Sequence, residues 1–409
     1  MGFVALAVTS FSFVPTAVVN AAPNVPYNTW TLGPGGAWLP TQTAYVPGGR
    51  FAPELTGGTP LNRPDDFFID EDAGYIYIAD TGNSRIVVMD MEGNFVAYFG
   101  REDNLLGQPM GITVRDGYIY VADRQRNYIF IFDQDTLELT SQIGRPDSPL
   151  IGDSPFSPTK IEVDERGGIY IISEGNAGGI MQLTADGEFL GFIGANRTAA
   201  SLQNIFVNFF FGENQTVFRR APRSPTNLAM DSRGLLYTVT HGTTGGESIK
   251  MLNTRGSVIA QTGFYYAVDV FIDEDNIMYV VHSNGWIDVI DSNFQYVYFM
   301  GGGPGGDRLG SLSSPRAISV TRDKRMFALD GTDNAIVVFE PTSYALLLVD
   351  AMNMYRDGRF LEGEPLWQEI IDLNPNFILS YRALARASML RGEYSQALRQ
   401  FGLAEYREG

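Results

Sequence analysis

Six acidic or imidazole side chains stand at matching points of a repeated pattern, each at the end of a short apolar run. In the first copy, the run 75–79 leads directly to Asp80. Carboxylates and imidazoles are side chains that bind metal ions or polarise a substrate. The sequence therefore predicts one candidate binding face, formed by Asp80, Asp123, Glu174, His241, His282 and Asp330.

These residues are positioned by six copies of a strand-rich unit. Each copy has a first strand that in most copies starts at a proline, a second that ends in one of the six residues, a third and usually a fourth. Period-2 apolar runs separated by Gly, Asn and Asp turns are typical of β-meanders, and such units stack around an axis as propeller blades. The predicted fold is mainly β, a six-bladed β-propeller with units that begin at Arg63, Gln108, Ser157, Ser224, Ala267 and Ser314.

The six residues also have a structural interpretation, which we favour. An aspartate at a strand end commonly accepts hydrogen bonds from the amides of the following turn. Positions in different blades are also too far apart around a ring for all six to share one ion. The glutamate and the two histidines depart from the repeated aspartate, so a function is expected there first.

The units resemble NHL repeats, whose pattern includes a proline, an IYVAD strand, an Arg-Ile pair and a final Phe-Gly. The first unit has Pro64, the strand 76–80, Arg85-Ile86 and Phe99-Gly100 at these places. The resemblance covers residues 63–341 and implies a propeller of the gluconolactonase-like superfamily. A shared fold of this kind is weak evidence for an activity.

Gluconolactonase relatives bind a divalent ion near the propeller axis with Glu, Asn and Asp side chains just after the start of a blade. At those positions in this sequence only Asp65 could serve well as a ligand. Asp66, Asn227 and Asp269 are one residue further on, which is the other face of a regular strand. These four are the axial candidates, and the sequence predicts no metal site, no catalytic residue and no cofactor.

The sixth unit lacks a fourth strand after its third, residues 335–339. The segment 23–62 contains two short strand-like runs, Thr29 to Leu32 and Thr43 to Val46. Either run is expected to supply the missing outer strand, which would join the two ends of the propeller and remove an open edge.

Residues 342–409 have a hydrophobic period of 3.6, which predicts an all-α domain of helical hairpins. Gly358 and Trp367, followed by Pro375 and Gly392, resemble the pattern of the tetratricopeptide repeat. We expect two hairpins that pack on the propeller near the sixth blade. An apolar strip around Phe401 and Ala404 is expected to bind a partner or a following helix.

The insertion between the third and fourth units contains Leu202, Ile205, Phe206, Phe209 and Phe210 at the spacing of an amphipathic helix. The helix is expected on the same face as the six strand-end residues. A lid over the channel mouth is the favoured interpretation, and a hydrophobic docking helix is the alternative.

Residues 3–22 carry no charge, and Val19-Asn20-Ala21 provides the small residues of a signal-peptidase site. Residues 1–22 are interpreted as a signal peptide, with a membrane anchor as the alternative. Either predicts an extracytoplasmic protein, secreted or at a bacterial cell surface. The net charge of −18 argues against a nucleic-acid partner, and the absence of cysteine excludes disulfides.

Together these features favour a non-enzymatic binding or scaffold protein that recognises a protein, peptide or glycan through a propeller face and helical repeats. An accessory role in carbohydrate uptake is one form of this function. Similar proteins include some that are tethered to a membrane by a later segment. A metal-dependent lactonase or lyase of the gluconolactonase-like class is the alternative.

Overall fold

The computed structural model describes residues 25–404 except 34–35, 52–58, 153, 177, 196–222, 243–247, 265 and 303–307. Its strands form six sheets. Five of them have four strands, and the other has the same four-stranded arrangement with two further strands at its outer edge. The first strand of each sheet lies beside the first strand of the next, and the sixth sheet lies beside the first. The predicted fold class, a six-bladed β-propeller followed by helices, is therefore confirmed.

The first three blades are built from consecutive antiparallel strands. Blade one contains β4 (Asp66–Asp70), β5 (Tyr75–Asp80), β6 (Arg85–Asp90) and β7 (Phe95–Phe99). Blade two contains β8 (Pro109–Arg115), β9 (Tyr118–Asp123), β10 (Tyr128–Asp133) and β11 (Leu139–Ile143). Blade three contains β12 (Pro158–Val163), β13 (Ile169–Ser173), β14 (Ile180–Leu183) and β15 (Phe189–Ile193).

The last three blades follow the same order. Blade four contains β16 (Asn227–Met230), β17 (Leu236–Val239), β18 (Ile249–Leu252) and β19 (Val258–Thr262). Blade five contains β20 (Ala267–Ile272), β21 (Met278–His282), β22 (Trp286–Ile290) and β23 (Tyr296–Gly301). Blade six contains β24 (Pro315–Val320), β25 (Met326–Asp330) and β26 (Ala335–Pro341).

The second and third strands are buried on both faces because each blade is covered by a neighbour on either side. In blade one, Ile76 and Ile78 pack towards blade six, whereas Tyr77 and Ala79 pack towards blade two. The near-continuous apolar runs of the sequence therefore fill the contacts between blades. Each such contact removes apolar surface from water, which is the main force holding the ring together.

The outer strand of blade six comes from the N-terminal segment. Strand β3 (Tyr45–Phe51) pairs antiparallel with β26, from Ile336 opposite Phe51 to Pro341 opposite Tyr45. Of the two expected runs, the second therefore closes the ring. The first run instead forms β1 (Trp30–Leu32), which pairs with β2 (Trp38–Pro40) and extends blade five beyond β23.

Four helices follow the propeller: α1 (Ser343–Arg356), α2 (Phe360–Leu373), α3 (Ile378–Leu390) and α4 (Tyr394–Ala404). The Thr342 hydroxyl caps α1 by accepting a hydrogen bond from the Ala345 amide, and it also donates to the Thr43 carbonyl at 2.7 Å. Gly358 and Gly392 have φ of 74° and 77° in the turns after α1 and α3, a conformation that favours glycine.

The helices are fixed to blades five and six. Tyr344 and Leu348 of α1 share one buried cluster with Tyr298 and Phe339 of the two blades. Polar contacts surround this cluster, including Asn353 Nδ2 to Asp275 Oδ1 at 2.8 Å, Arg382 Nη1 to Gln295 Oε1 at 2.6 Å and Asn374 Nδ2 to Thr41 Oγ1 at 2.8 Å. The expected packing near blade six therefore extends to blade five.

Within the described ranges, the helices are all too short or too polar to cross a membrane.

Candidate functional site

The first strands of the blades surround a central cavity of ≈ 940 Å³. Its lining runs from the beginning of these strands to the turns that follow them, where Glu71, Arg166, Arg233, Glu274 and Arg322 lie. These turns are on the face opposite the ends of the second strands. The cavity thus opens on the face that the sequence analysis did not select.

A β-bulge at the start of a blade decides which residues face this cavity. In blade two, Pro109 pairs with Asp123 but the next pair is Gly111 with Ala122, so Met110 is the extra residue. Blades three, five and six have the same irregularity. Strict alternation therefore placed the residues predicted to face the axis one position too early in these blades. The equivalent positions of the six blades, called here the innermost layer, are Asp66, Gly111, Lys160, Asn227, Asp269 and Ala317. Asp66, Lys160, Asn227 and Asp269 line the cavity.

Three of the four axial candidates, Asp66, Asn227 and Asp269, line the cavity. The fourth, Asp65, directly precedes β4, with a carboxylate oxygen 3.7 Å from Arg316 Nη1. One feature of the sequence does indicate which residues face the cavity once the bulge is counted. Polar side chains recur at every second residue after the bulge, as in Lys160-x-Glu162-x-Asp164.

Lys160 supplies the positive charge of the innermost layer. Its Nζ is 3.0 Å from Asp66 Oδ1 and 3.4 Å from the Asp65 carbonyl oxygen. Burial disfavours the ammonium charge, but the carboxylates of Asp66 and Asp269 outweigh it, so the pKa of Lys160 is raised. The Lys160 side chain therefore keeps its positive charge to a higher pH than an ordinary lysine, and it lines the cavity.

The polar side chains of this layer also join neighbouring blades. Asp66 Oδ2 accepts a hydrogen bond from the Ile112 amide of blade two at 3.2 Å, and Asp269 Oδ2 accepts from the Ile318 amide of blade six at 2.8 Å. Asn227 Nδ2 donates to the Val268 carbonyl of blade five at 3.3 Å. These bonds satisfy backbone groups beside the bulges.

Glu162 lies in the next layer, where the sequence analysis had no candidate. Burial, followed by the negative charge of Asp66, raises the pKa of Glu162 to about 8. Burial also raises the pKa of Asp269 to about 7, although the charge of Lys160 opposes this shift. The Thr113 hydroxyl is 3.5 Å from Glu162 Oε2. At neutral pH the Glu162 carboxyl is therefore mainly a neutral group facing the cavity.

The divalent ion that the resemblance implies does not fit this arrangement. The Asp66 carboxylate is paired with the Lys160 ammonium at 3.0 Å, and the Asn227 side-chain oxygen accepts the Leu228 amide at 2.8 Å. Across the described part of the chain, acidic and histidine side chains do not gather into a group of three that could hold a metal ion.

Three of the six strand-end residues are aspartates with no exposed surface. Asp123 accepts hydrogen bonds from amides on both sides, including Gly107 at 2.6 Å and Arg126 at 2.8 Å. Asp330 does the same with Ser313 and Asp333. The carboxylate oxygens of these two aspartates are used within their own blades.

Asp80 combines an amide bond with a buried ion pair. Its carboxylate accepts from the Asn62 amide at 2.7 Å and from Arg85 Nε at 2.7 Å. The Arg85 side chain is 1% exposed and also donates to the Thr59 carbonyl. This contact holds the segment before blade one against the end of its second strand.

Glu174 and His241 do not occupy the aspartate position. Ser173 pairs with Pro158 as Asp123 pairs with Pro109, so Glu174 is one residue beyond the equivalent position. The Ser173 hydroxyl accepts from the Ser157 amide and donates to the Pro155 carbonyl. The expected alignment was wrong in blade three for this reason.

In blade four, Asn227 pairs with Val239, which makes Thr240 the equivalent residue and places His241 one position later. His241 is exposed, with Nδ1 3.1 Å from the Ala267 carbonyl. His282 does take the aspartate position, and its Nε2 is 2.8 Å from Asp288 Oδ2. The six residues therefore belong to separate contacts and form no common centre.

Phe206, Phe209 and Phe210 lie outside the described residues.

The last two helices expose a set of large apolar side chains. Leu398 is 73% exposed, Tyr394 67% and Leu390 62%. The expected strip was placed one face away, since Ala404 is 2% exposed and Phe401 is half-buried. The residues of this apolar face are Met389, Leu390, Tyr394, Leu398 and Leu403.

No protein-family model matches the sequence, and no curated protein matches it. Similar solved structures include a streptogramin B lyase, which is 15% identical. That match covers 72% of this chain and 87% of that chain, with a TM-score of 0.45. Hydrazine synthase of Kuenenia stuttgartiensis is 11% identical, and the match covers 70% of this chain and 97% of that chain, with a TM-score of 0.46. A third similar structure is the extracellular domain of a proposed one-component system of B. thetaiotaomicron, which is 13% identical. The match covers 78% of this chain and 38% of that chain, with a TM-score of 0.45. These values carry no argument about function.

Proposed function

We propose that this protein is a non-enzymatic, extracytoplasmic binding and scaffold protein whose last two helices bind a partner protein. The observation that supports this most is the apolar face of α3 and α4. Tyr394 and Leu398 are four residues apart in α4, so they lie on one side of that helix, and Leu390 is the last residue of α3, next to the turn that leads to α4. Large exposed apolar surfaces on soluble proteins commonly mark interaction sites.

The rigid attachment of the helices supports a scaffold role. The apolar face is carried by helices that are fixed to blades five and six through a shared core. A surface held in this way loses little conformational entropy when a partner binds. In this proposal the propeller presents the helices, and these are repeats of the tetratricopeptide type on an NHL-type ring, exported by a signal peptide at residues 1–22.

The state of the charged residues supports binding over catalysis. The aspartates at the strand ends accept several hydrogen bonds each, and the axial carboxylate of Asp66 is paired with Lys160. A lactonase or lyase of the gluconolactonase-like class would need these axial oxygens for a metal ion. We therefore rank that activity below binding.

Photo-crosslinking in cells of the source organism tests the proposal. A benzophenone amino acid in place of Leu398 should give one dominant protein adduct, and the same probe in place of the adjacent exposed Arg399 should give little. The Tyr394→Glu substitution should reduce the Leu398 adduct without changing the melting temperature. Equal adducts at both positions, or none at Leu398, would contradict the proposed binding face.

A further inference from the structure

The innermost layer of the propeller contains an unusual balance of groups. Of its six positions, two are carboxylates, one is an amide, one is an ammonium and two are the small residues Gly111 and Ala317. A Cβ atom on Gly111 would lie 2.7 Å from the Thr159 carbonyl oxygen and 2.8 Å from Lys160 Cα. Blades two and three therefore approach each other closely beside the lysine.

We propose that Lys160 is a tethered cation. Its ammonium lies 3.0 Å from Asp66 Oδ1 and 3.4 Å from the Asp65 carbonyl oxygen, and it occupies the position that a free cation would take near the carboxylates of Asp66 and Asp269. The protein therefore needs no divalent ion to hold this layer together. When the charge of Lys160 is removed, the same oxygens become a binding site for a divalent cation.

The contacts of the two carboxylates carry the first part of this inference. Asp66 belongs to blade one and Lys160 to blade three, so their 3.0 Å contact spans the position of blade two near the axis. Each carboxylate also accepts an amide from its neighbouring blade, Ile112 or Ile318. The carboxylates are thereby held in place whether or not the lysine is present.

The donor chemistry carries the second part. Carboxylate and amide oxygens are the ligands preferred by hard divalent cations such as Ca²⁺ and Mn²⁺. Without Lys160, two buried carboxylates would face each other with no counter-charge, which is strongly unfavourable. They can be relieved by binding protons or by binding a cation. In the wild-type chain the ammonium excludes an ion because like charges would be forced together at short distance.

Calorimetric titration of the full chain with Ca²⁺ and Mn²⁺ tests this inference. The wild-type protein should bind neither ion at a one-to-one ratio, and its melting temperature should be the same with Ca²⁺ and with EDTA. Lys160→Met should bind one ion per chain, and Ca²⁺ should raise its melting temperature. Adding Asp269→Asn to this variant should weaken binding by about tenfold or more.

Lys250→Met is the matched control. Lys250 is also buried, at 4% exposure, but it belongs to the third strand of blade four and does not line the cavity. This variant should gain no ion binding, which separates the axial site from general attraction of cations to a chain of net charge −18.

Two results would overturn the inference. One is stoichiometric ion binding by the wild-type protein that is lost on Asp66→Asn. The other is a Lys160→Met chain that gains no ion binding, or that stays unfolded even in millimolar Ca²⁺. The first result does not depend on whether the Lys160→Met chain folds.

Discussion

The Nζ atom of Lys160 lies 3.0 Å from Asp66 Oδ1, although the two residues belong to blades three and one. The contact therefore joins two blades that are separated by blade two, beside the central cavity that both residues line. Because the Asp66 carboxylate also accepts the Ile112 amide, one side chain links three blades. The centre of the ring is therefore held by polar contacts, while the contacts between blades further out are apolar.

The buried pair of Asp80 and Arg85 should be important for stability. Asp80→Ala leaves the guanidinium, 1% exposed, without its carboxylate, and should lower the free energy of unfolding by about 3–5 kcal/mol. Urea denaturation measures the change. Glu174→Ala is the control, because the Glu174 carboxylate is 54% exposed and its pair with Arg124 should be worth less than about 1 kcal/mol. Equal effects of the two substitutions would show that the strand-end aspartate has no special structural role.

The repeat pattern predicted the number of blades because every unit repeats the same alternation of apolar runs and turns. It also predicted that a run before blade one would complete blade six. The axial residues could not be assigned in the same way. Alternation holds only in a regular strand, and the bulge after Pro109 and after its counterparts in blades three, five and six adds one residue.

The alignment of the strand ends failed for a related reason. A repeated aspartate suggested that Glu174 replaces it in blade three, but the hydroxyl of Ser173 makes the equivalent hydrogen bonds. Serine is short and neutral, so a search for acidic residues passes over it. The pairing of strands, which decides the equivalence, is a property of the folded blade and not of the residue types.

Closure of the ring by β3 should be energetically important. Tyr45 is 1% exposed, and Tyr45→Ala should cost about 3–5 kcal/mol, as expected for a large buried aromatic side chain. Hydrogen exchange should show faster exchange of the amides in β26, which pairs with β3. Tyr394→Ala removes an aromatic ring that is 67% exposed and should change stability by less than about 0.5 kcal/mol. Unchanged exchange in β26 after Tyr45→Ala would mean that blade six does not depend on this strand.

Glu162 should make stability depend on pH. Its pKa is raised from 4.5 to about 8 in the folded protein, mainly by burial. Between these values the folded protein keeps a proton that the unfolded chain has lost. This contribution to stability is complete below about pH 4.5 and is lost as the pH rises to about 8.

Glu162→Gln removes this titration while keeping a neutral polar side chain. The variant should therefore gain stability relative to the wild-type protein as the pH rises from 5 to 8. We expect a gain of roughly 2–3 kcal/mol, after allowance for water in the cavity. Urea denaturation at a series of pH values measures it, and Glu165→Gln, at the exposed mouth, is the control. A difference between Glu162→Gln and wild type that is constant with pH would show that the Glu162 carboxyl titrates normally.

The attachment of the helices to the propeller depends on the inner side of α1. Leu348 is 1% exposed and belongs to the cluster that contains Phe339 of β26, whereas Leu346, two residues earlier, is 41% exposed. Leu348→Ala should cost about 2–5 kcal/mol because it leaves a cavity between helix and blade. Leu346→Ala removes the same atoms from a more exposed position and should cost less than about 1 kcal/mol. Limited proteolysis should then cleave the Leu348→Ala chain near residue 342 faster than either Leu346→Ala or wild type. If both substitutions have the same small effect on unfolding and cleavage, the helices are held by the polar contacts of Asn353 and Arg382 and not by the shared core.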